Sequence, residues 1–150
     1  MEDEILERAR CTGSVRVPVA ASEALRLFTA RGERAWVNGW DPRFPAGDES
    51  LDMTVGTVWL TAAHGTQLVW TVADSTADRI RYVRIIPGTW AGTVEVTCTP
   101  DPDDRTWTRA EVVYDTTPLS SHGQDLLRGF ASGYEEFLKG LESNILKSCP

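Results

Sequence analysis

An arginine inside an apolar segment is the residue of this sequence best suited to holding a ligand. Residues 79–86 are Arg-Ile-Arg-Tyr-Val-Arg-Ile-Ile, and their pattern predicts a β-strand whose side chains alternate between two faces. Three of the four even positions are apolar or aromatic, and the fourth is Arg84. A buried arginine keeps its charge and needs an anionic or carbonyl partner. Arg84 is therefore a candidate anchor for a ligand carboxylate or phenolate.

Two other interpretations of Arg84 are open at this point. A carboxylate of the protein itself, such as Glu111, Asp115 or another acidic side chain, could pair with the guanidinium. Alternatively, a one-residue shift in strand register would turn the whole even set toward solvent, because side chains alternate between the faces of a sheet. In either case Arg84 would hold no ligand.

Aromatic residues are the second candidate feature, since the chain has six tryptophans and large aromatics often line pockets. Trp59 and Trp70 fall on adjacent predicted strands, where core packing explains them equally well. Trp36 and Trp40 fall on a short turn and loop, where a structural plug is an alternative to a ligand cap. The predicted pocket residues, to which tyrosine hydroxyls and helix aromatics contribute, are Trp36, Trp40, Trp59, Trp70, Tyr82, Arg84, Tyr114, Phe130, Tyr134 and Phe137.

Motifs for catalysis are sparse. His64 and His122 have no partner recognisable in the sequence, and no cluster has the spacing of metal ligands. There is no glycine-rich phosphate loop and no GxSxG nucleophile motif. Asp41 or Asp48 could act as a base, although such loop residues more often form turns. The sequence therefore assigns no catalytic residue, no metal and no cofactor.

Composition excludes several classes of partner. The formal net charge is −7 and the 15 basic residues are scattered, which argues against a nucleic-acid partner and against adsorption to anionic membranes. Residues 1–8 are charged with no apolar region behind them, and no apolar run approaches the roughly 20 residues that span a bilayer. Cys11, Cys98 and Cys149 are widely spaced and are interpreted as free thiols. These features predict a cytoplasmic protein without membrane insertion.

Local patterns predict an α+β order of elements. A first strand at 11–19 precedes a helical segment that Ser22 would cap and Gly32 would end, followed by a second short turn at 33–37. Short connections, including a hairpin turn at His64-Gly65, join strands that are expected to be antiparallel neighbours. With the first strand they make about six, the others being predicted at 55–62, 66–73, 79–86, 90–99 and 105–117.

The C-terminal segment 122–147 is predicted to form one amphipathic helix behind a cap at Ser120 or Ser121. Its apolar residues recur every three or four positions, namely Leu126, Leu127, Phe130, Tyr134, Phe137, Leu138, Leu141 and Ile145. Gly129, Gly133 and Gly140 each lower helix propensity by about 1 kcal/mol relative to alanine. Packing on the sheet must therefore hold this helix, and the small residues could let another group approach it closely.

This order of elements resembles the START-like superfamily (Bet v 1-like, or SRPBCC), and within it polyketide cyclase/dehydrase-type bacterial proteins. The resemblance covers residues 10–145, and its most specific sequence motifs are Glu33-Arg-Ala-Trp36 and Gly39-Trp-Asp-Pro42. It implies a helix-grip fold, in which a curved antiparallel sheet of about six or seven strands wraps around a long C-terminal helix, with two short helices after the first strand. Residues 1–150 would form one domain, with a flexible or short helical extension at 1–9.

The resemblance implies three candidate functions. The first is binding of a small hydrophobic or aromatic molecule, lipid-like or polyketide-like, in a cavity between sheet and helix, which an open and wholly apolar pocket would favour. The second is a metal-free polyketide cyclase, dehydratase or isomerase, which an unpaired Arg84 beside a carboxyl or histidine of shifted pKa would favour. The third is an Hsp90-activator-like interaction module, which a filled cavity and an exposed apolar sheet face would favour. A homodimer is compatible with all three.

Overall fold

Six antiparallel strands and two C-terminal helices form the two layers of this computed structural model, which describes residues 5–63 and 66–149. The strand order in the sheet is β1-β6-β5-β4-β3-β2, so every connection from β2 onward joins direct neighbours. This confirms the predicted helix-grip fold. The strands are β1 (Ala9–Val17), β2 (Val58–Ala63), β3 (Thr66–Ser75), β4 (Arg79–Ile86), β5 (Trp90–Pro100) and β6 (Thr108–Pro118).

Short helical pieces follow β1. Helix α1 (Ala21–Ala24) continues into a 3₁₀ turn at Leu25–Phe28, and two more 3₁₀ turns lie at Gly32–Ala35 and Glu49–Leu51. The predicted cap at Ser22 is wrong, because the N-cap position is Ala20 and no side chain caps the helix. Gly32 likewise begins the next turn instead of ending the first helix.

Burial alternates along the middle of the strands, because successive side chains point to opposite faces of the sheet. Even positions are buried at 68–72 in β3, 94–98 in β5 and 108–112 in β6, while the outer residues Arg109 and Glu111 are exposed. The outer face therefore meets water, as an antiparallel sheet allows. The buried inner residues include Leu68, Trp70, Val72, Val94, Val96, Cys98, Ala110 and Val112.

The predicted single C-terminal helix is divided in two. Helix α2 (Ser121–Ser132) ends at Gly133, whose φ of −99° and ψ of 10° lie outside the α-helical region, and α3 (Tyr134–Ser148) continues from there. The predicted cap is confirmed at Ser120, whose hydroxyl accepts a 3.0 Å hydrogen bond from the Gly123 N–H.

Two further expectations concern the ends of elements. The predicted hairpin turn at His64-Gly65 lies outside the described residues. Residues 5–8 have no regular secondary structure, but Glu7 donates its backbone N–H to Gln124 at 2.6 Å, so this part of the 1–9 extension contacts α2. Within the described residues, no helix is long and apolar enough to cross a membrane.

Candidate ligand-binding pocket

An open pocket of about 460 Å³ lies between α3, the turn at Gly32–Ala35 with the loop after it, and the sheet. Its volume is within the range of small-molecule sites. Most of its wall is apolar or aromatic, with a few polar groups among them. The lining residues are Glu33, Trp36, Val37, Asn38, Trp40, Trp70, Arg84, Tyr114, Glu136, Phe137, Gly140, Leu141 and Asn144.

Arg84 lines this pocket from β4 and is surrounded by aromatic rings. Its Cζ atom lies 4.5 Å from the centroids of both Trp90 and Tyr114, and 5.9 Å from that of Trp70. Cation–π contacts of this kind are worth about 2 kcal/mol or more where water is excluded. Trp90, at the start of β5, is half-buried and packs against the guanidinium.

No carboxylate pairs with Arg84 among residues 5–63 and 66–149. Glu111 is exposed on the outer face, and Asp115 pairs with Arg8 at 2.5 Å. The Nε atom of Arg84 is buried without a hydrogen-bond partner. Burial lowers the pKa of Arg84, and the neighbouring Tyr114 and Glu33 act in the opposite direction. An arginine still stays charged in such a site, so a cation faces the pocket unpaired.

Glu33 is a carboxyl group of this pocket that was not selected from the sequence. It is half-buried on the 3₁₀ turn and lines the same pocket as Arg84. Burial raises the pKa of Glu33 to about 8, although the charge of Arg84 opposes the shift. Trp36, three residues further along the turn, was selected from the sequence and could have pointed to Glu33, because residues three apart share a helical face.

Tyr114 supplies a hydroxyl near Arg84 and Glu33. In the described part of the chain this hydroxyl has no hydrogen-bond partner, and its ring packs edge-on against Phe130 and Phe137. Burial raises the pKa of Tyr114, while Arg84 counteracts that effect. The hydroxyl is therefore protonated near neutral pH and can donate to a ligand oxygen.

The other predicted residues on the sheet form the floor beneath the pocket. Trp59 and Trp70 stack with ring centroids 6.0 Å apart and planes 5° apart, and the Tyr82 ring stands edge-on to both. Tyr82 donates its hydroxyl hydrogen bond to the Phe28 carbonyl at 2.8 Å. Trp59 and Tyr82 therefore line only a small space of about 30 Å³ below the main pocket. Trp70 lines both this small space and the main pocket.

On the helical side, the structure brings only Phe137 of the three predicted aromatics to the main pocket. Tyr134 is buried and donates its hydroxyl hydrogen bond to the Val112 carbonyl at 2.6 Å, the backbone use that is usual for a buried tyrosine. Phe130 lines a smaller neighbouring compartment.

Trp36 and Trp40 line the pocket from the loop side, and their indole N–H groups are already hydrogen-bonded. The Nε1 of Trp36 donates to the Leu27 carbonyl at 2.8 Å, and that of Trp40 donates to the Ala30 carbonyl at 2.7 Å. Both rings are therefore fixed in place and offer the pocket apolar surface.

Several polar wall residues were not selected from the sequence. Glu136 and Asn144 flank the apolar stripe of α3 one helical turn either side of Gly140, a spacing that places them on one face. A Cβ added at Gly140 would meet nothing within 4 Å, so the space beside this glycine is the pocket itself. Asp48, a candidate base, instead accepts a 3.0 Å hydrogen bond from the Ser50 N–H.

No family model and no curated protein matches the sequence, but solved structures match the fold. A protein of Rhizobium loti has 20% identity and a TM-score of 0.67, covering 94% of this chain and 99% of its own. CalU16 from Micromonospora echinospora has 18% identity and a TM-score of 0.60, covering 95% and 87%. Norcoclaurine synthase from Thalictrum flavum, bound to a transition-state analogue, has 10% identity and a TM-score of 0.66, covering 97% and 96%.

The chain has the helix-grip fold of these solved structures. At these identities the likeness to solved structures defines the fold, and activity must be argued from the site. In this chain the space between the sheet and the C-terminal helices is only partly filled by side chains. Three polar groups line that space: the Arg84 guanidinium and the Tyr114 hydroxyl, which have no carboxylate or hydrogen-bond partner among the described residues, and the Glu33 carboxyl, whose pKa is raised. Among the described residues, no group of three or more potential ligands could hold a metal.

Proposed function

We propose that this domain binds a small apolar or aromatic molecule in the 460 Å³ pocket, with the polar end of the molecule at Arg84 and Tyr114. The observation that carries the proposal is the unpaired guanidinium of Arg84, buried among rings on the wall of an open pocket. The open pocket gives no support to the interaction-module alternative, which a filled cavity would favour.

Energetics support a ligand at this position. A buried charge without a hydrogen-bonded partner is costly, and the aromatic rings around Arg84 offset only part of that cost. An anionic or carbonyl oxygen would accept hydrogen bonds from the guanidinium, while the tryptophan and phenylalanine walls would cover the apolar part of the ligand. Ligand binding would thus use both the charged guanidinium and the apolar walls.

The proposal is tested with a variant that fills the pocket. Gly140→Leu places a side chain in open space, and leucine has higher helix propensity than glycine by about 1 kcal/mol, so folding is expected to be preserved. We expect affinity for the fluorescent probe naphthylethanol to fall about tenfold or more, because the leucine occupies ligand volume. Quenching of tryptophan fluorescence in a titration measures this affinity.

The matched control for that variant is Gly129→Leu. Gly129 is also an exposed helix glycine with nothing within 4 Å, but it does not line the pocket. This variant should bind the probe like the wild type. Equal affinities of Gly140→Leu and wild type would reject the pocket as the binding site. Native mass spectrometry of the purified protein can also reveal a co-purifying molecule.

A second candidate function, an enzyme that moves a proton, is favoured by Glu33, because an unpaired Arg84 beside a carboxyl of shifted pKa is the arrangement expected for such an enzyme. A carboxyl group with a pKa of about 8 is well matched to accept and return a proton near neutral pH. Arg84 and Tyr114 could stabilise the enolate oxygen that forms when a carbonyl compound loses an α-proton.

This activity predicts deuterium exchange at the α-carbon of β-tetralone in D₂O. Exchange followed by NMR should be faster with wild-type protein than with Glu33→Gln, because the amide cannot accept the proton. Equal rates for the two proteins, at equal probe occupancy, would leave the domain as a binding protein.

A further inference from the structure

A second compartment, of about 160 Å³, adjoins the main pocket at Arg84. It lies between the inner face of β4, β5 and β6 and helix α2. Apart from two residues its wall is apolar. The lining residues are Arg84, Trp90, Thr116, Leu126, Leu127 and Phe130.

The two polar residues of this compartment each have a buried polar atom without a partner. These atoms are Nε of Arg84 and Oγ1 of Thr116. Thr116 is only 2% exposed, so solvent at the surface cannot satisfy its hydroxyl. An unsatisfied buried group of this kind costs about 1–3 kcal/mol. Two such atoms on the wall of one small space therefore indicate that an occupant supplies the missing hydrogen bonds.

The strand register explains why these atoms share one space. Gly92 of β5 pairs with Arg84 on one side and with Thr116 on the other. A glycine is required there, because a Cβ would lie 2.2 Å from the Asp115 carbonyl oxygen. With no side chain at Gly92, nothing on β5 separates the Arg84 and Thr116 side chains at this row of the sheet.

We propose that this compartment is a carboxylate subsite of the main pocket. A ligand carboxylate oxygen accepts hydrogen bonds from the Arg84 Nε–H and the Thr116 hydroxyl, and the apolar walls enclose the short stem that carries the carboxylate. This inference rests on the proposed binding function. It narrows the ligand class to apolar or aromatic carboxylic acids.

Donor chemistry favours a carboxylate over a phenolate. A carboxylate has two oxygens with about four acceptor sites, whereas a phenolate has a single oxygen. A carboxylate on a short stem also fits the compartment of about 160 Å³. Both Arg84 Nε and Thr116 Oγ1 can donate a hydrogen bond. Hydrogen bonds from an ionised donor to a carboxylate are about twice as strong as neutral ones.

The test uses a pair of probes and one isosteric variant. Naphthylacetate and naphthylethanol share the aromatic part and differ in the charged end. Thr116→Val keeps the shape of the side chain and removes only the unpaired hydroxyl, so thermal stability should be unchanged or higher. Tryptophan fluorescence titration should show about a tenfold loss of affinity for naphthylacetate, the size of one hydrogen bond to a charged group, and no change for naphthylethanol.

The outcomes separate the subsite from the pocket. If Thr116→Val binds naphthylacetate as tightly as the wild type, or loses both probes equally, the carboxylate subsite is rejected while the pocket stands. In that case the compartment holds only water. If the wild type binds neither probe, or if Gly140→Leu leaves both affinities unchanged, the proposed binding function fails and the subsite fails with it.

Discussion

Glu33→Gln is expected to stabilise the folded protein near pH 8 and to change its stability little near pH 5. The pKa of Glu33 is about 8 when folded, against 4.5 for an ordinary glutamate. Between these values the folded state retains a proton that the unfolded state has released, so wild-type stability falls as pH rises, by up to about 1.4 kcal/mol per pH unit. Glutamine resembles the protonated side chain and does not titrate. Urea unfolding across this range should show the variant gaining roughly 2–4 kcal/mol over the wild type.

Glu49→Gln is the control with the opposite sign. Glu49 is exposed, and the hydrogen bond from Arg34 lowers its pKa. A lowered folded pKa stabilises the protein above the ordinary value and loses that effect as the carboxyl protonates. Glu49→Gln should therefore be slightly destabilising at neutral pH. If the stability curves of the wild type and Glu33→Gln run parallel from about pH 5 to pH 8, Glu33 does not have the raised pKa.

Arg84→Met is expected to lower affinity for naphthylacetate by at least tenfold without destabilising the unliganded protein. Hydrogen bonds to charged groups contribute about 1.5–3 kcal/mol, which corresponds to roughly 10–100-fold in affinity. Methionine keeps an unbranched, flexible stem against the aromatic rings. Replacing a buried charge by an apolar side chain is often neutral or stabilising. Titration calorimetry and thermal denaturation measure the two effects separately.

Arg81→Met provides the comparison on the same strand. Arg81 occupies an odd position of β4 and lies 4.0 Å from Asp74, so it faces away from the pocket. Its replacement should leave naphthylacetate affinity unchanged. Affinity for naphthylethanol should survive in both variants, because the aromatic walls remain. A full-strength interaction between naphthylacetate and Arg84→Met would show that the guanidinium is not the anchor.

The inner face of the sheet was predictable because successive side chains of a strand alternate between only two faces. Once the apolar residues Ile80 and Tyr82 were placed inside, Arg84 had to share their face, and the structure has it lining the pocket. The same argument placed Trp70 and Tyr114. The alternation of apolar and polar residues within one strand is enough to predict which side chains face inward, without knowledge of the rest of the chain.

Glu33 and the break at Gly133 were not predictable in this way. A glutamate on a short exposed-looking turn is ordinarily solvated, and only tertiary packing brings Glu33 to the wall that also carries Arg84. Gly133 lies within a continuous amphipathic pattern, so periodicity gives no sign that α2 ends there. Hydrogen-bond partners such as the Leu27 carbonyl for Trp36 also depend on distant backbone.

The unequal placement of polar groups around the pocket has a stereochemical consequence. Because the indole N–H groups of Trp36 and Trp40 are committed to backbone carbonyls, they cannot offer a bound molecule an alternative polar contact. Arg84 and Glu33 then mark two different points on a wall that is otherwise largely apolar. These two polar points and the apolar wall are three unlike contacts, which distinguish mirror images, so one enantiomer of a racemic α-aryl acid should bind in preference to the other.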